Sequence, residues 1–326
     1  MTGSNRVSDK GISPALVADA QKRLASVISS TPVLRDTPLD GLFGCHLFIQ
    51  CENRQATGAF KYRGASNAIL GLLQAGTLKA GTTTGVCTHS SGNHGKALAR
   101  AARLNGVSAE VVAPENSVAT KLAAMRAEEA VVHLCAPTQA AREAGVATLI
   151  AKGLIPIPPY DHPLVIAGQG TWALEILEQF DQLDILLIPV GGGGLAAGTI
   201  LACNLFMQRT GRAPVVIGAE PEQADDCWRS LQLGQRVQDH QPDTIADGLR
   251  AMIGKLTFPI IQAGIADVLR VSEASIEAAI KLAGDYLEEV IEPSSATVLA
   301  ALLEYPEVFS GHRVGLILTG GNVAYE

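Results

Sequence analysis

The chain has 326 residues, 47% of them hydrophobic, 17% charged and 4% aromatic, with 33 glycines. At about 150 residues per domain this is the length of two domains or one large α/β unit, and the apolar share excludes a globally disordered chain. The formal charge is −7, from 25 basic and 32 acidic residues, and no Lys/Arg cluster stands out, which argues against a nucleic-acid surface.

The predicted elements alternate. A helix is expected at Ser13–Ser29, a strand at Leu47–Cys51 and a helix at Lys61–Gln74. Strands at Gly85–His89, Ala109–Ala113 and Ala130–Leu134 are each followed by a helix, at Asn93–Asn105, Ala119–Glu128 and Pro137–Ala151. The run Ile155-Pro-Ile-Pro-Pro159 is the most rigid break and reads as a crossing between lobes. Beyond it come a helix at Thr171–Phe180, a strand at Ile185–Val190, a helix at Leu195–Arg209 and a strand at Val215–Ala219. The strand Asp267–Val271, helices at Glu273–Glu289 and Ser295–Glu304, and the strand Val314–Leu318 close the pattern. The strands are short, apolar and largely unalternating, as when helices cover both faces of a sheet. Such alternation implies parallel βαβ units, whose ligands sit at the carboxyl ends of the strands.

The cysteines Cys45, Cys51, Cys87, Cys135, Cys203 and Cys227 are scattered singly, so zinc is not expected and the thiols fit a reducing compartment. The stretch MTGSNRVSDKGISPALVADA lacks the apolar run of a signal peptide, and no segment has the apolar length of a membrane span. A cytoplasmic protein without membrane or nucleic-acid partners is expected.

Four loops carry polar or glycine-rich chemistry. Pro189-Val-Gly-Gly-Gly-Gly-Leu-Ala-Ala-Gly198 joins a strand to a helix. Its free N–H groups and the helix dipole suit an anion, and a phosphate is the natural occupant. Gly192-x-Gly194-x-x-Ala197 also fits a dinucleotide fingerprint, with Glu220 as a ribose anchor, so a NAD-binding oxidoreductase is one reading of this region. Lys61 lies at a helix start in Thr57-Gly-Ala-Phe-Lys-Tyr-Arg-Gly64, where the positive end of the dipole depresses its pKa towards Schiff-base chemistry. Thr88-His-Ser-Ser-Gly-Asn-His-Gly95 offers hydroxyls, an amide and free N–H groups, a nest for a carboxylate. Thr319-Gly-Gly-Asn322 follows the last strand.

With these loops in this order, the chain resembles the fold-type II pyridoxal-phosphate enzymes, in particular the serine racemase and serine/threonine dehydratase group. TGAFKYRG is similar to the family's lysine motif, SSGNHG to its substrate loop, PVGGGG to its phosphate cup and TGGN to its terminal turn. VIAGQGTWALE, IADGL and IEPSSA also look like family segments. The resemblance implies an α/β fold like the tryptophan synthase β subunit, with parallel sheets flanked by helices and the cofactor in the interdomain cleft. A discontinuous large domain would cover 1–79 and 161–326, and a small substrate-loop domain 80–160.

By the same resemblance Lys61 would carry pyridoxal phosphate, Gly191, Gly192, Gly193 and Gly194 would bind its phosphate, and Phe60 would pack on its ring. Asn93 would bond its 3-hydroxyl and Thr319 would face its pyridine nitrogen. Ser90, Ser91, Asn93, His94 and Arg142 would surround the substrate, with Lys61 and Ser91 as acid/base groups. Glu220, the Ala224 carbonyl and Asp226 would bind Mg²⁺ or Ca²⁺. Three features depart from the pattern: Ala251-Met252 stands where serine-racemising relatives have a serine pair, Lys96 replaces a glutamine and reads as a solvated helix position, and no C-terminal regulatory domain is expected.

The implied activity is a dehydratase (ammonia-lyase) turning a β-hydroxy-α-amino acid of the threonine, serine, phenylserine or hydroxyaspartate type into a 2-oxo acid and ammonia. The alternative is an amino-acid racemase using Lys61 and Ser91. A non-catalytic amino-acid sensor is disfavoured because Lys61 is present. A homodimer is expected from family habit.

Overall fold

The computed structural model describes residues 11–323. Residues 1–10, which hold half of the stretch read above as lacking a signal-like run, and residues 324–326 lie outside the described residues. In chain order the strands are β1 Val33–Leu34, β2 His46–Cys51, β3 Val86–His89, β4 Ala109–Pro114 and β5 Val131–Cys135, then β6 Ile155–Pro156, β7 Ile185–Pro189, β8 Val215–Pro221, β9 Asp267–Val271 and β10 Arg313–Leu318. The helices are α1 Pro14–Leu24, α2 Pro38–Phe43, α3 Lys61–Gln74, α4 Asn93–Leu104, α5 Ala119–Ala127, α6 Gln139–Ala151 and α7 Pro163–Gln179. They continue with α8 Gly194–Thr210, α9 Asp226–Leu233, α10 Thr257–Gly264, α11 Glu273–Leu287, α12 Pro293–Glu304 and α13 Pro306–Phe309.

The strands form two sheets. The larger runs β1-β2-β10-β7-β8-β9, with only β1 antiparallel, and the smaller runs β5-β4-β3-β6, all parallel. In the larger lobe β7 is buried on both faces. One face packs Leu186 and Ile188 against Trp172 of α7 and Ile200 of α8. The other packs Leu187, Ile217 and Leu316 against Ile276 of α11 and Leu299 of α12. In the smaller lobe Val86 and Val111 meet Leu98 of α4 and Met125 of α5, while Cys87 and Val112 meet Leu149 of α6. Helix α3 shares the core of the smaller sheet and also lies against α7 of the larger lobe. Its first residue, Lys61, therefore stands between the lobes.

All eight expected strands are present within two residues of their expected bounds. β1 and β6 were not expected: each has two residues, too few to show a pattern, and β6 falls inside the proline-rich break. The chain passes from β6 into α7 there. Helix α7 starts at Pro163 rather than Thr171. Proline at the first helical position has a suitable φ and needs no N–H partner, so it opens this helix instead of preceding it. Helix α1 stops at Leu24, short of Ser29. Helices α2, α9, α10 and α13 were missed because one or two turns show little periodicity.

Two glycines of the motif loops belong to helix packing. A Cβ on Gly64 of α3 would lie 2.9 Å from the Val165 carbonyl oxygen of α7, and one on Gly198 of α8 would lie 2.4 Å from that of Ile166. On α7, Gly168 and Gly170 make the reciprocal approaches, to Arg63 and Gly198. The three helices touch backbone to backbone. Beside this contact Arg63, fully buried, bonds both oxygens of Glu52 at 2.8 Å and both of Glu175 at 2.7 Å. Thr171 Oγ1 accepts from the same guanidinium at 3.1 Å.

Candidate active site

The carboxyl ends of β2, β3, β7 and β10 deliver all four loops to the cleft between the lobes. The lysine loop and the terminal turn are stitched together. Phe60 N donates to Thr319 O at 2.9 Å, Gly321 N to Gly58 O at 3.0 Å, and Ala59 pairs with Gly320 as an isolated bridge. Thr319 is buried between them.

Lys61 Nζ donates to Pro159 O at 2.9 Å and lies 5.1 Å from the centroid of the Phe60 ring. Burial lowers its pKa to about 8. The direction is the one expected from the helix start, but desolvation rather than the dipole supplies the cause.

The glycine loop bends through Gly193, whose φ of +86° is a conformation that a side chain strains, and α8 starts at Gly194. Side chains are excluded throughout: a Cβ on Gly192 would fall 2.5 Å from the Tyr160 ring, one on Gly194 2.9 Å from Tyr160 Cβ, and one on Gly193 2.5 Å from Ile253 Cδ1. Gly192 O is held by Thr257 Oγ1 at 2.9 Å and Gly254 N at 3.1 Å. Asp161 in turn accepts from Lys255, Leu256 and Thr257 N. Among the described residues, none of the N–H groups from Gly191 to Ala196 makes a hydrogen bond. Six adjacent open donors at the start of a 17-residue helix fit a phosphate dianion.

Ser90 Oγ accepts from Gly92 N at 3.2 Å and Gly95 N at 2.9 Å, and so holds two N–H groups at the start of α4, whose N-cap is Gly92. Ser91 is exposed at the loop tip. His94 is turned away from charge chemistry: it is buried, its Nε2 bonds Ile157 O at 2.9 Å, and burial pushes its pKa down to about 3. The ring stays neutral and braces the loop, and the backbone N–H of His94 has no partner among the described residues. Asn93 Nδ2 donates to both oxygens of Glu292, at 3.0 and 2.7 Å, and Asn93 Oδ1 accepts from Asn322 Nδ2 at 2.8 Å. Burial pushes the Glu292 carboxyl up to about 7. Lys96 is not a solvated helix position: half-buried, it donates to Asn322 Oδ1 at 3.1 Å.

Arg142 stands in the first turn of α6 and is half-buried. Burial and the Arg142 charge lower the pKa of His89, at the end of β3. Among the described residues Arg142 has no carboxylate partner and makes only a 3.4 Å bond to Thr138 O. Ala251 and Met252 are half-buried beside Ile253, whose N–H donates to Asp226 Oδ2 at 2.7 Å.

At the end of β8, Glu220 is fully buried, its Oε1 accepting from Trp228 N at 2.6 Å. Its Oε2 has no partner among the described residues, and burial raises its carboxyl well above the usual range. Asp226 is also buried, with Oδ1 3.5 Å from His240 Nε2. Ala224 lies in the 3₁₀ turn between them. Among the described residues no three His, Cys, Asp or Glu side chains group around one point, so two carboxylates and a carbonyl would need water to complete a cation's shell. Glu220 is turned inward, which removes the ribose anchor of the dinucleotide reading.

Sequence reasoning missed Tyr160, Glu292 and the Pro159 carbonyl. Tyr160 follows the proline break and Glu292 is the second residue of IEPSSA, but nothing local shows that either faces loops 32 and 199 residues away.

Residues 24–320 match the family described as pyridoxal-phosphate dependent enzyme. The chain is 43% identical over 305 residues to a beta-hydroxyaspartate dehydratase of Paracoccus denitrificans, covering 93% of this chain and 94% of that one. It is 43% identical over 313 residues to a serine racemase of Dictyostelium discoideum, covering 94% of each. The crystal structure of serine racemase from Dictyostelium discoideum superposes with a TM-score of 0.87 at 42% identity, covering 96% of this chain and 99% of that chain.

Proposed function

The chain belongs to the pyridoxal-phosphate dependent enzymes, and from that premise we propose that it is a dehydratase that converts a β-hydroxy-α-amino acid, hydroxyaspartate in particular, to a 2-oxo acid and ammonia. Bound pyridoxal phosphate draws electrons from the substrate α-carbon and so acidifies its hydrogen. The protein supplies the rest. The N–H groups of Gly191 to Ala196 would hold the phosphate, and Phe60, Thr319 and Asn93, the last tied to Glu292, would hold the ring. Lys61 would carry the cofactor, and burial, which lowers the pKa of its free amine to about 8, leaves part of that amine unprotonated near neutral pH to take a proton from carbon. The N–H groups of Ser91, Asn93 and His94, which make no hydrogen bond among the described residues, would hold the substrate carboxylate.

The observation that carries the substrate is Arg142. A half-buried guanidinium without a carboxylate partner, next to His89, suits a second carboxylate on the substrate. The Paracoccus relative is named for hydroxyaspartate, in the same sense. The sequence hint from Ala251-Met252 towards a less polar substituent such as threonine's is the weaker argument, because that segment serves as a strut to Asp226. Release of 2-oxo acid from a panel of hydroxyaspartate, threonine, serine and phenylserine tests the reading. Arg142→Met should lower kcat/KM for hydroxyaspartate about 10²-fold, as loss of a charge-assisted pair does, and change threonine turnover far less. Equal losses on both would refute it.

Racemisation is a second reading, favoured by the exposed Ser91 hydroxyl at the tip of the substrate loop. Ser91→Ala should suppress racemisation more than elimination, read by chiral analysis of recovered substrate. Glu220 Oε2, buried and without a partner, supports Mg²⁺ or Ca²⁺ on Glu220, the Ala224 carbonyl and Asp226; EDTA dialysis with a melting curve tests it. The same reading includes a small domain at 80–160 and a cytoplasmic homodimer, for which sedimentation is the check. Among the described residues no helix is long and apolar enough to cross a membrane.

A further inference from the structure

Lys121 belongs to α5 of the smaller lobe and Asp247 to the short turn Asp247–Leu249 of the larger one. Lys121 Nζ lies 2.5 Å from Asp247 Oδ2. This ion pair ties α5 of the smaller lobe to the larger one, at a place remote in sequence from the Arg63 pairs that tie α3 to Glu52 and Glu175. Both ends reach the site. On its way the Lys121 chain crosses the substrate loop: a Cβ on Gly92 would fall 3.1 Å from Lys121 Cδ. The glycine keeps that passage open. The Asp247 turn is rooted at the opposite end, where Gly248 N donates to Ser294 Oγ at 2.9 Å and Leu249 Cα would lie 3.0 Å from a Cβ on Gly191. The side chains are 16% and 38% exposed, so water reaches the pair and it can open and reform cheaply.

We propose that Lys121 and Asp247 are positioning residues that clasp the smaller lobe onto the larger one with the substrate loop beneath the lysine chain. Neither touches the reacting atoms. Holding the loop closed raises the fraction of enzyme competent to bind, and apparent affinity scales with that fraction. The inference does not depend on which amino acid is the substrate.

The test uses holoenzyme carrying Lys121→Met, Asp247→Asn, Lys121→Arg, or the exchanged pair Lys121→Asp with Asp247→Lys. Hydrogen exchange at residues 90–95 and 247–249 is read first, without substrate. Each neutral variant should exchange about ten-fold faster there, with β3 to β5 unchanged, while Lys121→Arg and the exchanged pair return close to wild type. KM for the substrate turned over should rise about ten-fold in the neutral variants, with kcat within about two-fold. Unchanged exchange in both neutral variants, faster exchange throughout the smaller sheet, or an exchanged pair as fast as the neutral variants would overturn the clasp. The expected exchange pattern in a protein that turns over no β-hydroxy amino acid would refute the dehydratase reading and leave the clasp standing.

Discussion

Asn93 gives its side-chain amide to both oxygens of a carboxyl group, Glu292, that burial has brought close to neutral titration. The Glu292 pKa is about 7 against an ordinary value of 4.5, so between those values the folded state binds more protons than the unfolded one. Stability therefore falls as pH rises through that window, by about 3 kcal/mol at most for this one group. Glu292→Gln should flatten the slope. Urea midpoints of both proteins at pH 5 and pH 7.5 measure it, and a parallel slope in the variant would show that other groups are responsible.

Lys61→Ala should abolish the visible absorbance expected of lysine-bound cofactor and reduce turnover by about 10⁴-fold or more, since carrier and proton acceptor are lost together. Spectra of the purified variant with added pyridoxal phosphate give the answer, and turnover near wild type would rule out Lys61 as the carrier.

Gly192→Ala puts a methyl 2.5 Å from the Tyr160 ring, and Gly193→Ala puts one 2.5 Å from Ile253 Cδ1 at a φ of +86°. The second also pays a backbone penalty of about 1–2 kcal/mol. Both should weaken cofactor binding at least about ten-fold, read by dialysis against free pyridoxal phosphate, with Gly193→Ala also lowering the melting temperature.

Arg63→Met leaves Glu52 and Glu175 facing each other without their cation, one of them fully buried. Breaking a buried pair from one side costs about 3–5 kcal/mol. Urea unfolding should show a loss of that size. A loss under about 1 kcal/mol would mean that the carboxylates find protons or water.

The strands were legible because apolar runs between glycine turns have few other uses in a sheet covered on both faces. The four loops were legible because four glycines after a strand, or a lysine at a helix start, are local facts. What could not be read is non-local. Tyr160 closes a glycine loop that follows it by some thirty residues, and Glu292 meets an asparagine 199 positions earlier. Lys96 looked solvated because its partner, Asn322, is 226 positions away. Gly64 and Gly198, although they belong to the motif loops, line helix contacts, and sequence alone does not distinguish a backbone that approaches a ligand from one that approaches another helix.

The bridge between Ala59 and Gly320 and the bond of Asn322 Nδ2 to Thr57 O at 2.9 Å join positions 261 and 265 apart. Synthesis runs from the amino end, so Lys61 leaves the ribosome long before the turn that shelters it. A chain that ends ahead of Thr319 lacks the turn that pairs with the lysine loop. The floor of the lysine pocket is thus assembled together with the larger sheet, when β10 inserts between β2 and β7.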